Sequence, residues 1–255
     1  MKPSALTRLK ASFLVFFLPL VLFTACSAKT VKPSVPSNAE DGYLHAVASY
    51  HNGLYEDAEA GFKRVMDDFP LDPYAVESQL MIADVYYFTE RYEDAAAYYT
   101  TFQSFHPAHS MAPYALFQKG MSHFKDVLVV DRDQTSTKKA LFAFEDLLMD
   151  YPASPYTEKA GELVTFLKRR LADRELYVGK FYFKAKNFKG ALMRFGAILK
   201  DYPDVGVADE ALYYIGESYV KLGEKDLARD AFKTLVSKFP GSPLTAYAKD
   251  RLRGG

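Results

Sequence analysis

Residues 179–203 read GKFYFKAKNFKGALMRFGAILKDYP. Within this stretch Ala191 is followed four residues on by the aromatic Phe195 and twelve residues on by Pro203. The same triplet recurs as Ala58/Phe62/Pro70, Ala95/Tyr99/Pro107, Ala140/Phe144/Pro152 and Ala228/Phe232/Pro240. Residues at i and i+4 share one face of a helix. The small one lets a neighbouring helix approach, and the large one fills the space beside it. Proline cannot continue a helix and marks its end. Five copies in order are an internal repeat, which decides the architecture.

Upstream of four of the alanines lies a second helical segment with its own small and aromatic residues: Ala83/Tyr86, Gly120/Phe124, Gly179/Tyr182 and Gly216/Tyr219. Between the segments comes a short turn followed by an aromatic, as in Gly53-Leu54-Tyr55, Arg91-Tyr92 and Asn187-Phe188. Asp72-Pro73, Ser154-Pro155 and Ser242-Pro243 pair a capping side chain with a proline at the first helical position. Small residue, aromatic, turn, alanine, aromatic and proline together resemble the tetratricopeptide repeat. The expected fold is all-α: a helical solenoid of about five such repeats, about ten helices, over residues 40–255. The business of such a solenoid is usually binding.

The chain opens differently. Lys2, Arg8 and Lys10 precede an apolar stretch, Phe13 to Phe23, that is too short to span a bilayer and is interrupted by Pro19. Phe23-Thr24-Ala25-Cys26 then resembles a bacterial lipobox, with Phe23 in place of the usual aliphatic residue. Cys26 is the only cysteine in the chain. The resemblance implies that residues 1–25 are a signal peptide and that Cys26 carries covalent lipid, palmitate included. The alternative is an ordinary signal peptide with an incidental cysteine. Three acyl chains would make the anchor effectively permanent. Ser27 stands where aspartate would resemble an inner-membrane retention signal, so the expected location is the periplasmic face of the outer membrane. Residues 26–39 lack apolar periodicity and read as a flexible tether. Without residues 1–25 the chain has 29 basic against 32 acidic residues. That balance argues against nucleic acid as a partner.

Successive repeat prolines are 37, 45, 51 and 37 residues apart, against about 34 for a minimal repeat. Residues 129–137 form an inserted loop in the third repeat. A long uninterrupted helix, Tyr156 to about Lys186, enlarges the fourth, with Leu163, Phe166, Leu167, Leu171, Val178, Phe181 and Tyr182 at helical spacing. These irregularities are specific. Phe105-His106-Pro107-Ala108-His109 with Tyr114 and Gly120, and Leu171 through Tyr182 with Asn187-Phe188 and Ala191 to Arg194, resemble the BamD family of lipoproteins. That family belongs to the outer-membrane β-barrel assembly machine, and the similarity runs from residue 40 to about 240. It implies a non-enzymatic scaffold whose N-terminal repeats receive unfolded barrel proteins. The C-terminal repeats would dock the barrel-inserting subunit beside other assembly lipoproteins, with Arg194 matching a family arginine implicated in that docking. The rival reading is another periplasmic repeat lipoprotein, an adaptor for cell-wall enzymes or pilus assembly.

No catalytic constellation is visible, and no cofactor beyond the lipid is expected. His106 and His109 flank a helix stop and fit capping better than metal binding, since two ligands do not make a site. Asp131-Arg132-Asp133 lacks the glycine and bidentate glutamate of a calcium loop. Lys168-Arg169-Arg170 with Arg174 is a basic run, either solvated or facing an acidic partner. In repeat geometry the first helix of each pair lines the concave side. That places Tyr43, Tyr50, Tyr87, Tyr114, Phe117 and Phe124 along a candidate peptide groove, with Leu80 and Asp84 among them. Some of these aromatics must be core and the rest groove wall.

Lipid anchoring is testable at one atom. Cys26→Ser removes the acyl acceptor, so palmitate label should vanish and the protein should leave the outer-membrane fraction. A variant that still sediments with that membrane through a salt wash would mean that the lipobox reading is wrong or that protein contacts suffice to hold the chain there.

Overall fold

A computed structural model describes residues 37–127 and 132–254. Cys26, the signal segment, most of the tether and the first residues of the third-repeat loop lie outside the described residues. Among the described residues there are eleven α-helices and no strand. They pair as α1 (Ala39–His51) with α2 (Tyr55–Asp68), α3 (Pro73–Phe88) with α4 (Tyr92–Phe105), and α5 (Ala112–Lys125) with α6 (Thr135–Asp150). Then come α7 (Thr157–Lys184) with α8 (Phe188–Asp201) and α9 (Ala208–Leu222) with α10 (Lys225–Lys238), closed by α11 (Leu244–Gly254). Each helix packs on its sequence neighbours, and α3, α9 and α11 also touch the odd-numbered helix before them. The solenoid of five pairs is as expected; α11 is an added half-repeat that covers α10. None of the described helices is long and apolar enough to cross a membrane.

The repeat triplet is the core. Ala58, Ala95, Ala140 and Ala191 have no exposed surface, and Ala228 is 3% exposed. Phe62, Tyr99, Phe144, Phe195 and Phe232 are likewise buried. Each ring meets the small residue of the preceding helix. A β-carbon on Gly120 or Gly216 would stand 2.5 Å from the Phe144 or Phe232 ring, and one on Gly179 would strike Phe195. Ala46 and Ala83 hold this position in the first two pairs, both fully buried.

The helix ends repeat as closely as the core. Before each repeat proline stands Phe69, His106, Tyr151, Tyr202 or Phe239, with φ between −127° and −139°. Those values belong to the extended region that a following proline imposes. Two residues after proline a side chain caps the next helix. Asp72 Oδ1 accepts from the Tyr74 N–H (2.9 Å), His109 Nδ1 from Met111 (3.2 Å), and Ser154 and Ser242 Oγ from Tyr156 and Leu244 (3.1 Å each). His109 thus does the work of an aspartate or serine. Pro73 opens α3 as expected, whereas Pro155 and Pro243 sit in the preceding turn and regular helix begins at Thr157 and Leu244. In the remaining repeat the loop is held from outside: the Arg169 guanidinium donates to the Val205 and Gly206 carbonyls at 3.0 and 3.3 Å.

Five residues before the repeat alanine, Gly53, Glu90, Lys186 and Gly223 all adopt left-handed φ, from 59° to 81°. The next N–H closes on a carbonyl five residues back, as Asn187 does on Tyr182 at 2.9 Å, which is the Schellman closure of a helix. At the other end, Asn38 Oδ1 accepts from Asp41 at 2.8 Å and Ala39 is buried. The helical domain therefore takes in residues read as tether.

The 28-residue α7 belongs to two pairs. Ala160, Val164, Leu167 and Leu171 join the core of α6, and Ala172 and Leu176 join that of α8. Phe166 and Phe181, grouped with the apolar face by their spacing, are instead 48% and 65% exposed. Phe166 meets the Phe124 ring of α5 at 5.8 Å, and Phe181 meets the ring of the adjacent Tyr182 at 6.0 Å.

Two glycines on equivalent backbone separate packing from helix propensity. A β-carbon at Gly161 meets nothing within 4 Å, so Gly161→Ala should stabilise by about 0.5–1 kcal/mol. Gly216→Ala should destabilise, because overpacking of about 1–3 kcal/mol exceeds that gain. Thermal unfolding checks both; equal shifts would show that the ring contact sets no limit.

Candidate partner-binding site

The odd helices α1, α3 and α5 carry the candidate groove residues. All six aromatics are half-buried, each held by a ring from another part of the fold. Tyr43 packs on Tyr74 (ring centroids 5.1 Å) and Tyr50 on Phe88 (5.8 Å). Tyr87 meets Phe88 and Tyr92, at 5.9 and 5.7 Å. Tyr114 and Phe117 both reach Tyr156, the second stacked at 5.0 Å. Phe124 packs on Phe166 of α7 at 5.8 Å. The result is an aromatic seam in which rings join α1 to α3 and α5 to α7 and the residue before it, while Tyr87 meets its own helix and α4. Tyr43, Tyr50, Tyr87 and Tyr114 flank the core of the first pairs, and Phe117 and Phe124 flank that of the third. Phe88, Tyr156 and Phe166 belong to the seam although their positions relative to the repeat triplet do not mark them.

One charge sits in the seam. Asp84 is the single charged residue in the run Leu80–Phe88 and is 8% exposed. Its Oδ1 accepts from the Tyr99 and Tyr114 hydroxyls at 2.5 and 2.8 Å. The Tyr114 oxygen accepts in turn from Gln118 Nε2 at 3.1 Å. Burial pushes the Asp84 carboxyl up, and the two phenolic donors only partly pull it back. Burial and then the Asp84 charge raise Tyr50, Tyr99 and Tyr114; burial and Glu77 lift Tyr43 to about 12, with Asp84 adding to it. The phenols therefore stay neutral donors at any ordinary pH.

The basic run on α7 is largely engaged within the fold. Lys168 pairs with Glu145 at 2.7 Å, Arg169 with Asp173 at 3.0 Å, and the Arg174 guanidinium lies 6.0 Å from the Tyr177 ring. Arg194, on α8, meets Glu175 of α7 at 3.2 Å with its side chain 44% exposed. His106 and His109 both pack on Phe102, with ring centroids at 5.3 Å. Asp131 lies outside the described residues, and Asp133 accepts from the Thr135 hydroxyl at 3.1 Å. Among the described residues no three potential metal ligands gather. A cavity of about 530 Å³ lies where Ala96, Thr100, His123, Lys139 and Phe142 meet, and none of the six candidate aromatics lines it.

Against known proteins, residues 36–235 match the family model described as YfiO, outer membrane lipoprotein. The chain is 27% identical to "Outer membrane protein assembly factor BamD" of Rickettsia prowazekii, over 95% of this chain and 96% of that one. It is 28% identical to the protein of the same description from Neisseria meningitidis serogroup A, over 83% of each. Among solved structures, it is similar to the TPR2AB domain of yeast Sti1, with 14% identity and TM-score 0.43 over 84% of this chain and 81% of that one. It is also similar to a thermophilic TPR protein in Thermus thermophilus, with 15% identity and TM-score 0.37 over 84% and 99%.

A carboxyl held above its ordinary value opposes folding once it ionises. The opposition is absent in acid and grows as pH rises through the raised value. Asp84→Asn keeps an acceptor for both phenols and removes the charge. Its melting temperature should therefore exceed the parent's at pH 7, with the gap closing as pH falls. A lower melting temperature at pH 7 would mean that the charged phenol bonds outweigh desolvation.

Proposed function

This chain belongs to the YfiO family of outer membrane lipoproteins, and we propose that it is a non-enzymatic scaffold of the machinery that assembles outer-membrane β-barrels. The observation that carries the proposal is the match, over 95% and 83% of this chain, to proteins described as outer membrane protein assembly factors. The fold suits such work, since a solenoid offers long helix faces rather than one enclosed reaction chamber. Lipid on Cys26 would hold the chain to the outer membrane from the periplasm. The aromatic seam of the N-terminal repeats would take extended segments of unfolded barrel proteins. Their alternating bulky side chains match its half-open rings, and aromatic anchors carry most of an interface's energy.

Arg194 would serve the other end. In its pair with Glu175 the arginine side chain is 44% and the glutamate side chain 22% exposed, and ion pairs near the surface contribute about 0–1 kcal/mol. A partner carboxylate can therefore exchange with Glu175 at little penalty. The barrel-inserting subunit is the proposed owner of that carboxylate, with other assembly lipoproteins alongside.

Affinity purification of the lipidated chain from detergent-solubilised membranes tests the proposal. A large barrel protein with periplasmic modules should co-purify, and Arg194→Glu should reduce its recovery at least about tenfold, since a reversed charge also faces Glu175. Recovery of cell-wall or pilus proteins in its place would overturn the assignment.

A further inference from the structure

The repeat lets one part of the chain report on another. The residue just after the small core position, in each odd helix, occupies one register: Val47, Asp84, Met121, Lys180 and Glu217. The facing register on the next odd helix lies eleven residues after the repeat proline: Met81, Gln118, Leu163, Tyr214 and Arg251. Four of these five pairs are complementary. Val47 and Met81 flank one apolar core, and Met121 and Leu163 another. The Lys180 ammonium lies 5.6 Å from the Tyr214 ring. Glu217, 6% exposed, takes the Arg251 guanidinium in a fork at 2.6 and 2.9 Å.

Asp84 is the exception. Its register partner Gln118 is neutral and donates to Tyr114 rather than to the carboxylate. Both phenolic bonds to Asp84 end on Oδ1. Oδ2 accepts no hydrogen bond from the described residues, yet it is not sealed from solvent, since the one buried polar atom there without a partner is Ser78 Oγ. No lysine or arginine among the described residues pairs with Asp84. A desolvated carboxylate with an open oxygen is a strong acceptor for a cation. The tyrosine rings around it suit a planar guanidinium better than an ammonium.

We propose that Asp84 is the anion of a cation subsite in the seam: its Oδ2 receives the guanidinium of an arginine carried by a bound extended segment. The partner supplies from outside what Arg251 supplies to Glu217 from within. This rests on the seam being the peptide site proposed above.

The experiment uses the purified full chain in detergent and a peptide copied from the C-terminal strand of an outer-membrane barrel. Arginine, or its neutral isostere citrulline, is placed at each position of the peptide in turn, and affinity is measured by fluorescence anisotropy. At one position arginine should bind about tenfold tighter than citrulline, the scale of one charge-assisted hydrogen bond. Asp84→Asn should erase that preference, so that the arginine and citrulline peptides bind the variant alike. Gln118→Arg should erase it too, by filling the site from within, and should raise the melting temperature as well. Equal affinity for arginine and citrulline at every position, or a preference that survives Asp84→Asn, would overturn the subsite while leaving the seam as a peptide site. Failure of every peptide to bind would overturn the seam reading and the subsite with it.

Discussion

An aromatic ring pressed against a helix at a point where that helix has almost no side chain holds each pair together. The contact admits little variation. At Gly120, Gly179 and Gly216 the ring occupies the volume of the missing β-carbon. In the first two pairs alanine suffices, at Ala46 and Ala83. Close approach of the backbones fixes where along each helix its partner can sit, and so fixes the turn between them and the stop after them. The repeat spacing follows from this geometry rather than from propensity. Interiors at crystal-like density make such a contact sensitive to a single methyl group. Because each helix packs on its neighbours, the constraint is renewed pair by pair and stability accumulates as local interfaces.

That renewal explains which parts of the fold are legible in the sequence. Alanine, aromatic and proline stand at fixed spacing because they serve one contact and one stop, so five repeats can be read directly. The long α7 is legible because nothing between Thr157 and Lys184 breaks it. The exposure along it is not: Phe166 and Phe181 keep helical spacing with Leu167 and Leu171, yet stand 48% and 65% exposed. Periodicity gives a stripe without saying which residues at its edge find a neighbour. The turns hide for another reason. Glu90 and Lys186 adopt the left-handed conformation that Gly53 and Gly223 take at the same register. A residue without glycine's freedom gives no local sign of it. His109, by contrast, caps α5 as its place beside a helix stop suggests, from a position held elsewhere by aspartate or serine.

The candidate site was legible as a list of aromatics and not as an arrangement. Tyr50 is half-buried because Phe88 lies across it, and Phe117 because Tyr156 does. Those partners come from other helices, and no local pattern names them. Asp84 carried a better signal, a lone charge in an apolar run. Its meaning still depended on knowing that Tyr99 and Tyr114 converge on one of its oxygens.

Cohesion and recognition draw on the same surface here. The registers that join odd helices to one another lie beside those that line the seam. Where both sides are apolar, as at Val47 and Met81, the fold keeps the contact for itself. Where acid meets arginine, as at Glu217 and Arg251, α11 is fastened to α9 by a buried carboxylate that is fully answered. At Asp84 the same kind of group is answered only by neutral donors, and its raised carboxyl shows that they do not offset burial. Natural sequences are consistent across levels nearly everywhere, and a local inconsistency tends to mark a place kept for something other than stability. A solenoid that satisfied every register internally would be more stable and would have fewer open groups to offer. The one acid among the five positions that meets no cation supplies a physical reason to look for a ligand in the N-terminal repeats, one that the exposure of their rings alone does not give.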